Sequence, residues 1–167
     1  MSETYGLRDV STILVPLALG CIGWFATQYF VNPLVRLNDI KRTAHELLTY
    51  TARIYVPGDP RLEKTIDDLR KVSAQISAFN ATVPALSRFV FNARGYNFKE
   101  AARRFVVICN ILSNLRDARP LDDESISEAS DTFGRTKLER HTIEKLLKLP
   151  FTSDPKLIEA IKKHMGR

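Results

Sequence analysis

Cysteine is scarce in this sequence, which has only two among its 167 residues. Cys21 lies in an apolar run and Cys109 in an apolar helical pattern, so their positions indicate no disulfide framework. This usage suits a reducing compartment. On an apolar helix face, Cys109 is predicted to be a buried, inert thiol rather than a nucleophile.

The motifs of common enzymes and metal sites are absent as well. The sequence contains no G-x-x-x-x-G-K-[ST] phosphate loop, no H-E-x-x-H or paired-cysteine zinc spacing, and no G-x-S-x-G nucleophile turn. Its three histidines, His45, His141 and His164, fall in different predicted helices. We therefore expect no metal ion and no cofactor, and a non-catalytic protein is favoured over an enzyme.

Strand-like alternation and internal repeats are also missing, whereas apolar residues recur at helical spacing along most of the chain. A chain of 167 residues is long enough for one small domain and one anchor, but too short for two independent cores. The sequence thus predicts an all-α protein. In it, a single N-terminal transmembrane helix continues into a cytoplasmic bundle of about five or six helices.

Charge is absent from Val10 to Val31. These 22 residues span about 33 Å as a helix, which matches a hydrocarbon core of about 30 Å. A cleaved signal would need a basic start and a small-residue cleavage site, but the first nine residues combine one arginine with two acids and no such site follows. An uncleaved transmembrane helix over residues 10–32 is favoured over this alternative and over a buried soluble helix. Residues 1–9 are then a short extracytoplasmic N-terminus.

Basic residues are concentrated after the apolar run. Arg36, Lys41 and Arg42 follow it, while Arg8 alone precedes it. The positive-inside bias therefore places the C-terminal part in the cytoplasm and the N-terminus outside. Residues 33–167 hold 24 basic and 17 acidic side chains, a formal excess of seven positive charges. We expect the three basic residues at the junction to meet anionic lipid headgroups, with nucleic acid as a less favoured partner.

Small or weakly polar residues form a stripe along the predicted span. They are spaced by four, four, three and four positions, and they are Thr12, Pro16, Gly20, Gly23 and Thr27. Such stripes let transmembrane helices approach closely, so we expect self-association into a homo-oligomer. The alternative is that glycine and proline are simply common in membrane helices.

The helical pattern continues past Pro33 as a predicted juxtamembrane helix over residues 33–56. Its apolar positions alternate by three and four, and we call them the juxtamembrane seam: Leu37, Ile40, Ala44, Leu47, Thr51 and Ile54. We expect the seam to be a candidate surface for another protein or a second copy. A Pro-Gly-Asp-Pro turn ends this helix, and the cytoplasmic helical domain is predicted to occupy residues 59–167.

Five further helices are predicted, over residues 60–78, from about residue 83, from Asn97 onward, over 135–149 and over 154–165. In the second of these, Leu86, Phe89 and Val90 are expected to point inward. The helix that opens at the Asn97 cap has the widest apolar stripe and is the expected centre of the core. The acidic segment over residues 117–131 is interpreted as an exposed connection with at most one helical turn, and as a second candidate partner surface.

A short motif keeps one catalytic alternative open. The segment RTKLERH, from Arg135 to His141, resembles the R-x(4–6)-H signature of the HEPN superfamily of ribonucleases. That resemblance implies a metal-independent ribonuclease in which Arg135 binds the scissile phosphate and His141 moves a proton, usually across a dimer. Thr136 replaces the usual amide or histidine after the arginine. The structural alternative is a solvent-facing arginine and a partly buried histidine.

At the level of the whole chain, residues 10–115 resemble a group of small bacterial inner-membrane proteins. The likeness rests on one N-terminal span, a basic junction with Asn-Pro, the segment LLTYTARIY and the amphipathic segment LEKTIDDLRKVSAQISA. It implies a bacterial inner-membrane location with a cytoplasmic helical domain. The layout also resembles, in architecture alone, the membrane accessory protein of an RNA-targeting CRISPR system, in which a HEPN-like domain assembles into a pore.

Three functions are compatible with these observations. The favoured one is a membrane-anchored, non-catalytic interaction or assembly module that self-associates. The first alternative is an oligomeric membrane pore or effector in phage defence. The second and less favoured alternative is a HEPN-like ribonuclease.

Overall fold

The computed structural model describes residues 5–52, 59–117, 123–151 and 154–164. Within these ranges it contains α-helices, one π-helical turn and no strand. The elements, in chain order, are α1 (Tyr5–Ala26), the π turn (Thr27–Val31), α2 (Asn32–Thr51), α3 (Arg61–Thr82), α4 (Ala85–Ala93), α5 (Phe98–Asp117), α6 (Asp123–Leu147) and α7 (Pro155–His164). The prediction of an all-α protein with a long apolar N-terminal helix is confirmed.

Helix α1, the π turn and α2 follow one another without a break in the helix. The exposure of this long helix changes at Pro33. The described side chains from Thr12 to Ala26 are all exposed, whereas α2 buries one face. The buried residues of α2 are Pro33, Leu37, Ala44, Leu48 and Thr51. Helix α1 therefore stands clear of the bundle, and α2 belongs to it.

Helices α3 and α5 pack against each other in antiparallel directions. The Ser73 hydroxyl donates a hydrogen bond to the Ala102 carbonyl over 2.9 Å. Nearer the start of α3, the Cys109 thiol donates to the Ile66 carbonyl over 3.7 Å. Because a later residue of α3 faces an earlier residue of α5, the start of α5 lies beside the end of α3.

Helix α6 runs back along α5, again antiparallel. The Asn97 N–H, just before α5, donates to the Leu146 carbonyl near the end of α6 over 3.4 Å. Helix α3 is antiparallel to α2 as well, because Asn32 and Val83 line one pocket between them while Tyr50 and Asp68 line another. The α3–α4 corner, the start of α5 and the end of α6 are therefore all at the end of the bundle nearest α1.

Helix α5 is the centre of the hydrophobic core, as its sequence pattern predicts. Every residue of its predicted apolar stripe is buried: Phe98, Ala101, Ala102, Phe105, Ile108, Cys109, Leu112 and Leu115. The predicted cap is present too, because the Asn97 side-chain oxygen accepts a hydrogen bond from the Glu100 N–H over 3.0 Å. Gly95, with a φ of 80°, makes the left-handed turn that separates α4 from this cap.

An aromatic cluster closes the end of the core nearest α1. The Phe98 ring meets the rings of Phe79 and Phe91 edge-on, with centroids 5.1 and 5.8 Å apart. Tyr96 stacks on Phe98 with a centroid distance of 5.6 Å. These contacts join α3, α4 and α5 through favoured aromatic geometries.

The prediction that Leu86, Phe89 and Val90 of α4 point inward is wrong. Leu86 and Phe89 are 42% and 72% exposed, and Val90 is half-buried. The buried positions are Ser87 and Phe91 instead. The pattern failed because two specific contacts orient the helix: Phe91 enters the aromatic cluster, and Ser87 finds a hydrogen-bond acceptor on the π turn.

The predicted connection over residues 117–131 is also wrong over most of its length. Helix α6 begins at Asp123, twelve positions before the predicted start at Arg135. An acidic start suits a helix, because the N-terminal end carries a partial positive charge. The acidic composition is typical of a loop, but acidic residues are also favourable in the first turn of a helix.

We predict that Phe105→Ala destabilises the fold far more than Val106→Ala. Phe105 is fully buried in the centre of α5, so its truncation leaves a cavity that costs about 3–5 kcal/mol. Val106 is the neighbouring residue but is 46% exposed. Thermal unfolding of the full-length protein in a mild detergent, followed by circular dichroism, measures both. Equal losses for the two variants would contradict the assignment of α5 as the core helix.

Candidate functional site

Helix α1 exposes apolar side chains around its whole circumference. The exposed large residues on it are Ile13, Leu14, Val15, Leu17, Leu19, Ile22, Trp24 and Phe25. A helix that is apolar on every side is stable where protein or lipid surrounds it, and none of the described residues outside this helix covers its side chains from Thr12 to Ala26. In the part of the chain that the structure describes, one helix, near the N-terminus, is long and apolar enough to span a membrane.

The predicted small-residue stripe lies on the open surface of this helix. A Cβ atom placed on Gly20 or on Gly23 would meet no other atom within 4 Å. Thr27 uses its hydroxyl within the helix, where it donates to the Gly23 carbonyl over 2.8 Å. No described part of the same chain covers the two glycines, so the close approach they permit is available to another helix.

The junction between α1 and α2 is organised by one missing hydrogen-bond donor. Pro33 has no N–H group, so the Tyr29 carbonyl, four residues earlier, lacks its usual backbone partner. The Ser87 hydroxyl of α4 donates to this carbonyl instead. Tyr29 lies within the π turn, in which the helix widens and the Asn32 N–H bonds to the Thr27 carbonyl. The proline therefore does not break the helix, and it creates the acceptor that holds α4.

This junction was not predicted from the sequence. The helical pattern predicts only that the chain continues as a helix past Pro33, and it indicates no role for Ser87. A usable signal was present, since a proline within a helix leaves the carbonyl four residues earlier without a donor. The sequence does not indicate which distant hydroxyl will occupy it.

The three basic residues of the junction have different surroundings. Arg36 is exposed and lies five residues beyond Val31, about 7.5 Å along the helix, comparable with the headgroup layer of about 5–7 Å. Lys41 lies about 15 Å beyond Val31, and its ammonium sits 5.7 Å from the centre of the Tyr96 ring. Arg42 forms an exposed ion pair with Glu46 over 3.5 Å. Arg36 is therefore the best placed of the three for a headgroup contact.

The juxtamembrane seam is not the free surface that was expected. Leu37, Ala44 and Thr51 are buried, and Ile40 and Leu47 pack against the same core. Leu48, which the predicted seam omits, is fully buried as well. Ile54 lies outside the described residues. The apolar face of α2 is already used within the chain, because α3 packs along it.

A groove remains between α2 and α3 on the outside of this packing. Its middle part encloses about 470 Å³ and is lined by Arg36, Asp39, Ile40, Thr43, Gln75, Ala78, Phe79 and Thr82. It shares Arg36 and Thr82 with a smaller notch beside Asn32, and Thr43 and Gln75 with a third section further along α2. The groove thus extends from the end of α1 along much of α2.

Arg135 and His141 lie on the same regular helix, α6. They are six positions apart, which places them about 9 Å apart along the axis and about 120° apart around it, so they share no face. Arg135 is exposed, whereas His141 is half-buried with its ring stacked on Phe151 at a centroid distance of 4.9 Å. Within one chain the structure does not bring the two side chains into one site. This arrangement is the solvent-facing arginine and partly buried histidine of the structural alternative.

A charged cluster between α5 and α6 was missed entirely. The Arg104 guanidinium donates to both oxygens of Glu139 over 2.9 and 3.0 Å, and to Glu100 over 2.7 Å. Hydrogen bonds to these two carboxylates raise the pKa of Arg104. Two further charged residues of α6, Arg140 and Glu144, are also buried. The cluster joins two helices, and only the Glu100–Arg104 spacing of four hinted at it.

Chemical reactivity at Cys109 is suppressed. Burial raises the pKa of its thiol to about 11, so the thiolate is scarce at neutral pH. Among the residues that the structure describes, no group of three or more His, Cys, Asp or Glu side chains could hold a metal ion. Comparison with known proteins adds no function, since no family model, no curated protein and no solved structure matches this chain.

We predict that Ser87→Ala destabilises the protein by about 1–3 kcal/mol, because it leaves the Tyr29 carbonyl without a donor. Thermal unfolding in detergent, followed by circular dichroism, measures the loss. Ser77→Ala, an exposed serine on α3, is the matched control and should change stability little.

The same substitution tests the role of Pro33. In a Pro33→Ala background the backbone supplies the missing N–H, so Ser87→Ala should cost less there than in the natural sequence. An identical cost in both backgrounds would show that the serine and the proline act independently.

Proposed function

We propose that helix α1 anchors this protein in a lipid bilayer and that the bundle of α2 to α7 is a cytoplasmic, non-catalytic interaction and assembly module. The observation that carries the proposal is the change of exposure at Pro33. On one side of it the helix is apolar and exposed all round, and on the other it buries a single face in a packed core. Such a boundary is expected where one helix passes from lipid into a water-soluble domain.

The orientation with the N-terminus outside rests on charge. The exposed Arg36 lies on the bundle side of the apolar segment, and the formal excess of seven positive charges lies beyond it. Both favour the inner leaflet of a bacterial inner membrane, whose anionic lipids attract basic residues at about 1 kcal/mol each.

Self-association is the second part of the proposal. The stripe of Thr12, Pro16, Gly20, Gly23 and Thr27 is exposed, and its two glycines are open to close approach. Within lipid, helices associate through packing and polar contacts rather than through hydrophobic burial, and small residues permit this packing. The stripe is therefore the proposed contact between α1 helices of a homo-oligomer, while the α2–α3 groove is available to a protein partner.

The span and its orientation can be tested by labelling single cysteines in spheroplasts with a membrane-impermeant maleimide. In a Cys21→Ala background, Ser2→Cys should react before lysis, and Ser77→Cys, exposed on α3, should react only after lysis. Cys109 remains as an internal control, because its buried thiol, with a pKa of about 11, should react only after denaturation. The reverse labelling order would overturn the orientation, and recovery of the protein in the soluble fraction would overturn the span.

The oligomer can be tested by light scattering of the full-length protein in a mild detergent, with the detergent mass subtracted. We expect a discrete oligomer that the double variant Gly20→Leu and Gly23→Leu disrupts. The control variant, Ala18→Leu and Cys21→Leu, adds bulk with the same spacing on the opposite face of α1 and should leave the oligomer intact.

Three outcomes of this measurement are informative. A monomer in the natural sequence would overturn self-association through the span. Equal disruption by both variants would show that self-association does not depend on the small-residue stripe. A large closed ring, rather than a dimer, would favour the membrane-pore alternative and justify conductance measurements.

A further inference from the structure

Helix α4 turns apolar side chains outward. Phe89 is 72% exposed and Leu86 42% exposed, and these two residues are three positions apart, on one face. The opposite face of α4 is the one that packs, through Ser87 and Phe91. A short helix with apolar residues on both faces is not typical of a surface that meets water.

The single charged residue of α4 does not make this outer face polar. The Arg88 guanidinium reaches back to the end of α3, where it donates to the carbonyls of Ala81 and Val83, both over 3.3 Å. It therefore lies on the flank of α4 nearest α3. The face with Leu86 and Phe89 keeps its apolar character.

The position of α4 is set by its hydrogen bond to the helix that leaves α1. Ser87 bonds to Tyr29, which lies two residues before Val31, the end of the 22-residue apolar segment, and seven residues before the first charge, Arg36. A hydrocarbon core of about 30 Å ends within a turn of this level. Leu86 and Phe89 are both within two residues of Ser87, so they lie close to the boundary between acyl chains and headgroups.

Other exposed apolar side chains lie at this level of the structure. Phe30 and Val31 of the π turn are exposed, and so are Leu34 and Val35 at the start of α2. The first charge after them is Arg36. Through the Ser87–Tyr29 hydrogen bond, α4 with its apolar outer face is held at the same level as these exposed residues.

We propose that α4 is an interfacial helix, whose Leu86 and Phe89 enter the inner leaflet beside the span and fix the height and tilt of the bundle against the membrane. The occupant of this face is lipid, at the level where acyl chains meet headgroups. Two side chains are too few for a stable protein contact, which takes about 20–30 residues on each side, whereas they suffice for a helix already held at the bilayer by a neighbouring span. The proposal rests on the proposed membrane insertion of α1.

Depth-dependent fluorescence quenching tests this proposal in the full-length protein, reconstituted in phosphatidylcholine and phosphatidylglycerol vesicles. The probe is Phe89→Trp in a Trp24→Phe background, with lipids brominated at successive positions along the acyl chain. We expect a blue-shifted emission that loses intensity most strongly when bromine is near the headgroup end of the chain. Leu86→Trp is a second probe of the same face and should respond in the same way.

Two further tryptophans serve as controls. Val106→Trp, in the same background, is a half-exposed position on α5 further from α1 and should be insensitive to brominated lipid. The natural Trp24, in the unmodified sequence, reports on the span itself and should be quenched. Circular dichroism confirms that each variant keeps its helical content.

These probes separate failure of the interfacial helix from failure of the span. Quenching of Trp24 without quenching at positions 86 and 89 would overturn the role of α4 and leave the span standing. Unquenched Trp24 would overturn the span as well. A blue-shifted but unquenched Phe89→Trp would also overturn the proposal, because it would show that protein rather than lipid covers this face.

Discussion

The missing N–H group of Pro33 is the constraint on which the junction of this protein depends. It removes the N–H that a regular α-helix would offer to the Tyr29 carbonyl, at a depth where water is scarce if α1 spans a membrane. Ser87 supplies the donor, and the adjoining π turn absorbs the change in helix geometry. The exposed apolar helix α1 therefore continues into the packed bundle without a flexible linker. As a result, the orientation of α1 is coupled to the orientation of the bundle.

The bundle uses most of its apolar residues internally. Helix α5 lies at the centre, the aromatic cluster of Phe79, Phe91, Tyr96 and Phe98 closes one end, and Arg104 links α5 to Glu139 of α6. The face of α2 expected to bind a partner is part of this core. What remains for recognition is at the surface: the span, the outer face of α4, and the groove between α2 and α3 with Arg36 at its edge. Two of these three features are the surfaces that we propose to meet lipid.

Catalysis receives little support from the arrangement of the side chains. Arg135 and His141 point in different directions from one helix, and His141 is stacked on Phe151. A ribonuclease of the kind their spacing resembles would require both to converge on one phosphate, from one chain or from two. The best-organised charged cluster, around Arg104, consists of ion pairs between helices, in which each charge is offset by its neighbour. These surroundings are the reason that an anchored interaction module, rather than a ribonuclease, is the proposed function.

The sequence by itself determined the all-helical class, the long apolar helix, the cap at Asn97 and the entire buried stripe of α5, because each depends on helical periodicity or on residues within one turn. Only the tertiary structure decided which face of α4 is buried, that the apolar face of α2 is used internally, and that an ion pair joins α6 to α5. These features depend on contacts between residues far apart in the chain, such as Ser87 with Tyr29 and Arg104 with Glu139. A local pattern shows that a face is apolar, but whether protein or lipid covers it depends on which elements the fold places beside it.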